Sequence, residues 1–181
     1  MEALNPFERA SLYVALHTYL RWLAEDGGEP PIEVINFFAS LGLQLPKEVS
    51  DNAVEYVRRF RAGSCRMELN PAARANLQNH LTAFYNSAGY VSTEPADTIL
   101  AITAFTAHLA MDTHTAHVVG DGGADKLEQQ LHRFISAHLL PTLKHLRPPE
   151  KRLADAIEEL ERLVGEDARA LSARLSRPMN Y

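Results

Sequence analysis

The sequence contains a single cysteine, no long apolar run and no surplus of positive charge. Cys65 cannot form an internal disulfide or build a cysteine-based metal site. No apolar run reaches the roughly 18 residues of a membrane span, and residues 1–6 lack the basic start and apolar centre of a secretory signal. Eighteen Lys and Arg stand against 23 Asp and Glu, a net charge of −5, whereas duplex nucleic-acid binders show a basic surplus or stripe. These absences predict a cytoplasmic protein with no membrane insertion and no nucleic-acid partner.

The motifs of several enzyme classes are also missing. Residues 120–123 read GDGG, but this stretch follows a predicted helix and lacks the Gly-Lys-Ser/Thr ending of a phosphate loop. Gly123 stands where an EF-hand needs a ligand, and there is no Gly-x-Ser-x-Gly elbow. We therefore expect no catalytic residues, no cofactor and no metal, and the protein is not predicted to be an enzyme.

The hydrophobic pattern predicts helices throughout the chain. Apolar residues recur every three or four positions, and sustained alternation is hard to find. Proline and glycine stops divide the pattern into segments at about residues 5–25, 31–41, 50–62, 70–89, 95–118, 124–145 (with a bend near Pro141) and 148–175. No internal repeat or long linker divides the chain. Residues 1–181 are thus expected to form one all-α domain, a bundle of six to seven or more helices.

Two alternative functions remain open at this stage. The first is an all-α metal-dependent hydrolase, because His108 and Asp112 lie four apart and His114 and His117 three apart. Each pair can share a helix face, although the two pairs do not share the same face. The second is a dimeric regulatory protein that pairs along the apolar stripe of residues 153–175.

An acidic pair stands at the predicted start of the most apolar helix. Pro95 suits the first helical position, and Asp97 near the amino end gains from the helix dipole. Helix capping alone is sufficient to explain these residues at this position. Functionally, Glu94 and Asp97 held at a helix start can accept charge-assisted hydrogen bonds from arginine side chains of a partner.

At this segment the sequence resembles the TorD/DmsD/NarJ family of redox-enzyme maturation chaperones. The family hallmark is a Glu-Pro-x-Asp-His element, and residues 94–98 read EPADT. Three further segments agree in order: EYVRRFRAG at 55–63, FYNSAGY at 84–90 and FISAHLLP at 134–141. The chain departs from the family at Thr98, which replaces the usual histidine. It also carries Thr142 where an aromatic residue is common.

The resemblance implies a TorD-like fold and a cytoplasmic chaperone, present as a monomer or homodimer. Such a chaperone binds the twin-arginine leader or N-terminal segment of the catalytic subunit of a molybdoenzyme. It assists insertion of the molybdenum cofactor and assembly before export. By this resemblance Glu94 and Asp97 engage the arginines and Thr98 adds a hydrogen bond. Three aromatic side chains are expected to line the groove for the apolar part of the leader: Tyr56, Phe60 and Tyr90. His138 is expected to fix a helix end rather than to contact the partner.

Overall fold

The computed structural model describes residues 4–25 and 28–176 and confirms an all-α bundle. No strand occurs in these two ranges. Residues 1–3 of the N-terminal segment and residues 26–27 of the first predicted stop lie outside them. The helices are α1 (Pro6–Ala24), α2 (Ile32–Ser40), α3 (Asp51–Arg59), α4 (Ala62–Cys65), α5 (Pro71–Ser87), α6 (Ile99–Val119), α7 (Ala124–Phe134), α8 (Leu140–His145) and α9 (Lys151–Leu175). A π-helical segment, Ile135–Leu139, joins α7 to α8.

The centre of the bundle is the pair of helices α1 and α6. Helix α1 begins at the predicted cap, where Asn5 and Glu8 bond each other's backbone N–H at 3.0 and 2.9 Å. Helix α6 buries residues on most of its circumference, as its apolar sequence predicts. Within the described ranges, no helix combines the length and apolar character needed to cross a membrane.

The last helix places its apolar stripe inside the fold. Leu153, Ile157, Leu160 and Leu171 on α9 are fully buried, and α9 packs against α7, α8 and the π-segment. The stripe predicted as a dimerisation surface is therefore used for the protein's own core. The proposal of a regulator that pairs along this stripe is wrong for that reason.

The junction between α3 and α6 differs from the sequence prediction. Helix α3 ends at Arg59 because Phe60 and Arg61 adopt extended backbone, and Arg61 forms an isolated antiparallel bridge with Thr98. Helix α6 begins at Ile99 with Thr98 as its N-cap, so Pro95 lies in the preceding turn and not at the first helical position. The predicted boundaries at residues 62 and 95 are both wrong because this long-range bridge fixes the backbone there.

The predicted bend near Pro141 takes the form of the π-segment. Proline has no N–H, so the carbonyl of Ala137, four residues earlier, loses its helical donor. That carbonyl instead accepts a hydrogen bond from Nη1 of Arg66 at 2.8 Å. A side chain from the α4–α5 connection thus compensates for the proline.

A buried ionic cluster, which sequence patterns did not indicate, joins α1 to α9. Nε of Arg9 lies 2.9 and 3.0 Å from the two carboxylate oxygens of Asp167, and the Tyr13 hydroxyl donates to the same carboxylate at 2.8 Å. Burial and the Asp167 charge raise the pKa of Tyr13. The neighbouring Glu128 is also fully buried and pairs with Arg174 at 2.8 Å. The cluster neutralises its charges internally, as buried ions require.

Candidate functional site

The loop at residues 94–98 is held by Asp97, whose side chain is buried. Its Oδ1 accepts hydrogen bonds from the guanidinium of Arg61, at 2.8 Å from Nε, and its Oδ2 accepts from the N–H of Gly63 at 3.3 Å. A Cβ at Gly63 would lie 3.0 Å from Oδ2, so a side chain there would crowd the carboxylate. Asp97 is thus already paired with an arginine of its own chain.

Thr98 and its neighbour Ala96 complete the loop. The Thr98 hydroxyl accepts from the N–H of Ala101 at 3.1 Å and caps α6. The carbonyl of Ala96 accepts from the hydroxyl of Tyr85 at 2.8 Å. These contacts give the loop one defined conformation and leave the side chain of Glu94 exposed.

Glu94 and Thr98 line a groove of about 610 Å³. Val57 and Ile99 also line the groove, but both are almost completely buried, so most of its exposed surface is polar. Glu25, at the end of α1, lines the same groove and forms an exposed ion pair with Arg21. The groove therefore presents two exposed carboxylates on a mainly polar surface.

One cation also lies along this groove. Nε of Arg58 donates to the carbonyl of Ala24 at 2.9 Å, and its Nη1 contacts Glu55 at 3.2 Å. These two contacts direct the guanidinium of Arg58 toward the protein itself. The carboxylates of Glu25 and Glu94 are therefore the groups of the groove that can contact an incoming cation.

Tyr56 on α3 and Phe60, the residue that follows α3, have ring centroids 6.1 Å apart. Phe60 is 4% exposed and belongs to the core. The hydroxyl of Tyr56, a half-buried residue, accepts from the N–H of Arg147 at 3.2 Å, which ties α3 to the connection before α9. Neither residue lines the groove beside Glu94.

Tyr90 belongs to a different aromatic cluster. Its ring contacts Tyr85 at 5.6 Å, Phe105 at 5.4 Å and His108 at 5.2 Å between centroids. Burial raises the pKa of its hydroxyl. The structure thus brings Glu94, Asp97 and Thr98 together and divides the three predicted aromatic residues between two places.

The histidines of the hydrolase alternative point to separate partners. His108 pairs with Asp112 at 3.3 Å, and His114 packs edge-on against Phe7 at 5.4 Å. His117 instead pairs with the buried Glu128 at 3.0 Å. Across residues 4–25 and 28–176, no three metal-ligating side chains come together. This geometry gives the metal-dependent hydrolase no site.

No protein-family model and no curated protein matches the chain.

Two residues of the site were missed by sequence reasoning. Arg61 carried a weak signal, since it lies in the segment 55–63 that resembles the family turn. Glu25 carried none, because only the packing of α1 against α6 brings the end of one helix beside the start of the other.

Proposed function

We propose that this protein is a chaperone that binds the twin-arginine leader or N-terminal segment of a molybdoenzyme catalytic subunit before export. The observation that supports it most is the groove that is lined by the two exposed carboxylates of Glu94 and Glu25. The ordered resemblance of four segments to the TorD/DmsD/NarJ family supports the same class of partner.

The chemistry of the groove suits such a peptide. A guanidinium donates two parallel hydrogen bonds to a carboxylate, and adjacent arginines can reach two carboxylates. The half-buried Leu100 gives the groove a small apolar surface beside these carboxylates, against which an apolar side chain of the leader can pack. The exposed pair between Glu25 and Arg21 costs little to exchange for a peptide arginine, because surface ion pairs are weak.

The roles of the predicted site residues follow from their contacts. Glu94 and Glu25 meet the arginines of the peptide. Asp97 keeps Arg61 as its partner and positions the loop that carries Glu94. The Thr98 hydroxyl accepts from the helix and remains able to donate a hydrogen bond to the peptide.

The test is a titration of the protein with a fluorescent twin-arginine leader and with the same leader carrying two lysines. We expect saturable binding of the first peptide and weaker binding of the second, since lysine cannot bond a carboxylate in two places. Glu94→Gln and Glu25→Gln should each weaken binding about 3- to 10-fold, the range of an exposed charge-assisted pair. Glu158→Gln on α9 removes the same charge from a distant exposed position and should leave affinity unchanged.

The outcomes of these titrations distinguish a wrong binding site from a wrong function. Saturable binding that neither glutamate variant weakens would remove this groove as the site. Failure to bind any twin-arginine leader would remove the function. A pull-down from anaerobically grown cells of the source organism should recover a molybdoenzyme catalytic subunit with its leader uncleaved.

A further inference from the structure

A second cavity, of about 550 Å³, lies beside the π-segment, away from the groove at Glu94. Its walls are largely apolar and come from α5, the connection before it and the π-segment. The apolar wall residues are Leu69, Ala73, Leu77, Ala137 and Pro141. Its size and lining are those of small-molecule sites, which combine apolar walls with a few placed polar groups.

One of those polar groups is His138, which is 8% exposed. Its ring packs against Phe134 at 5.0 Å and His80 at 5.5 Å between centroids. Nδ1 is sealed from solvent without a hydrogen-bond partner, and no residue of the described ranges bonds Nε2. His138 lies inside the π-segment and fixes no helix end, which corrects the role expected from the sequence.

The protonation of His138 follows from its surroundings. Burial, with smaller contributions from His80 and Arg66, lowers the pKa of His138 to about 4, so the ring is neutral at pH 7. A neutral imidazole carries one N–H. We assign that proton to Nε2, because the ring faces the cavity and a sealed Nδ1–H would be a buried donor with no acceptor.

The second polar group is Arg66, which is 7% exposed. Its Nε donates to Glu68 at 2.6 Å and its Nη1 to the carbonyl of Ala137 at 2.8 Å. Its Nη2 forms no bond with the described part of the chain. Arg66 also lines an adjoining cavity of about 600 Å³ that contains Lys144 and Arg169.

We propose that this cavity binds a small apolar carboxylate. The carboxylate accepts from Nε2 of His138 and Nη2 of Arg66, and the hydrocarbon part lies on Leu69, Ala73 and Leu77. Both donors are held by buried packing, which reduces the cost of ordering them around a ligand. An anion suits the site because Nη2 of Arg66 has no acceptor in the described part of the chain, and the adjoining cavity is lined by more cations, among them Lys144 and Arg169, than carboxylates.

The test uses octanoate, octanesulfonate and 1-octanol as probes in calorimetric titrations of the complete protein. We expect one site for octanoate and octanesulfonate, with affinity at least 10-fold above that for the alcohol of the same chain length. In the ¹⁵N spectrum of the unmutated protein, octanoate should shift the imidazole resonances of His138 and leave those of His114 in place. Equal affinity for the three probes, or an unperturbed His138, would overturn the proposal.

Substitutions of cavity residues test where octanoate binds, independently of which chemical group of the probe is recognised. His138→Phe keeps the ring and removes both nitrogens, and should weaken octanoate binding at least 5-fold. Ala73→Phe fills the cavity from α5 and should abolish octanoate binding. This variant tests the site even if His138→Phe does not fold. His114→Phe, at the edge contact with Phe7, is the matched control and should bind as the unmutated protein. If a twin-arginine leader shifts His138 and octanoate does not, the cavity belongs to the peptide and the carboxylate proposal fails.

Discussion

The guanidinium of Arg61 lies against the carboxylate of Asp97, with Nε 2.8 Å from Oδ1, and joins the end of α3 to the start of α6. The N–H of Ala62 donates to the Asp97 carbonyl at 2.8 Å beside it, so both backbone and side chains hold this junction. From the sequence, Asp97 is expected to bind the arginines of a partner. In the structure its carboxylate already binds an arginine of the same chain. Glu94 lies three residues earlier, and its backbone is bonded to the hydroxyl of Ser92.

The first prediction concerns the stability of this junction. Asp97→Ala leaves Arg61 and the N–H of Gly63 without their acceptor, so we expect a loss of about 2 kcal/mol in the free energy of unfolding. Glu94→Ala removes an exposed carboxylate from the same loop and should change stability by less than about 0.5 kcal/mol. Urea denaturation followed by circular dichroism measures both. Equal stabilities of the two variants would contradict a structural role for Asp97.

The second prediction concerns the ionic cluster between α1 and α9. Asp167→Asn removes the carboxylate bonded to the buried Arg9 and leaves it only the longer 4.0 Å contact with Glu128, so we expect a loss of about 3–5 kcal/mol in the free energy of unfolding. Asp155→Asn is the control because it makes the same change at an exposed position of α9. Thermal unfolding of the two variants should differ by roughly 6–20 °C, since about 1 kcal/mol corresponds to roughly 2–4 °C in a domain of this size. A difference of only a few degrees would mean that the cluster contributes little.

The third prediction concerns the pH dependence of stability. The pKa of His138 falls from 6.5 to about 4 on folding. Between these values the unfolded chain binds a proton that the folded protein does not, so the free energy of unfolding decreases as the pH falls. The His138 contribution is about 3 kcal/mol over the whole window, and about 2 kcal/mol of it falls between pH 7 and pH 5. It should be absent from His138→Phe, so urea midpoints of the two proteins at pH 7 and pH 5 test it. Parallel pH profiles would show that His138 does not titrate as expected.

The fourth prediction concerns the compensation of Pro141 by Arg66. Arg66→Met removes the donor to the Ala137 carbonyl and should cost about 2 kcal/mol. Pro141→Ala restores an N–H to the helix, so Arg66→Met should cost about 1 kcal/mol less in that background. A double-mutant cycle by urea denaturation measures this coupling. Additive effects of the two substitutions would show that Arg66 does not compensate for the missing N–H of Pro141.

Local signals in the sequence were sufficient to predict most helices. Asn5–Pro6 and Asn70–Pro71 place a capping side chain before a first-turn proline, and both α1 and α5 begin there. The apolar spacing of α9 identified its buried face. These features depend on residues within one or two turns of each other, which is why they can be read from a single sequence.

The candidate site depended on contacts that local patterns do not contain. Helix α6 begins after its N-cap Thr98, rather than at Pro95, because residues 61 and 98 pair across the bundle. The same long-range packing puts Glu25 beside Glu94 and separates Tyr90 from Tyr56. Complementary charges and aromatic residues are numerous in the chain, and only the three-dimensional arrangement selects which of them meet.

The bond between Arg9 and Asp167 joins residues 158 positions apart, which has a consequence for synthesis of the protein. At translation rates of about 5–20 residues per second, the arginine leaves the ribosome on the order of ten seconds before its counter-ion is made. During that interval α1 cannot enter an apolar interior without desolvating an unpaired charge. We therefore expect the N-terminal helix to dock stably only once α9 has emerged, and shorter nascent chains to remain open to proteases and to the chaperones of the cell.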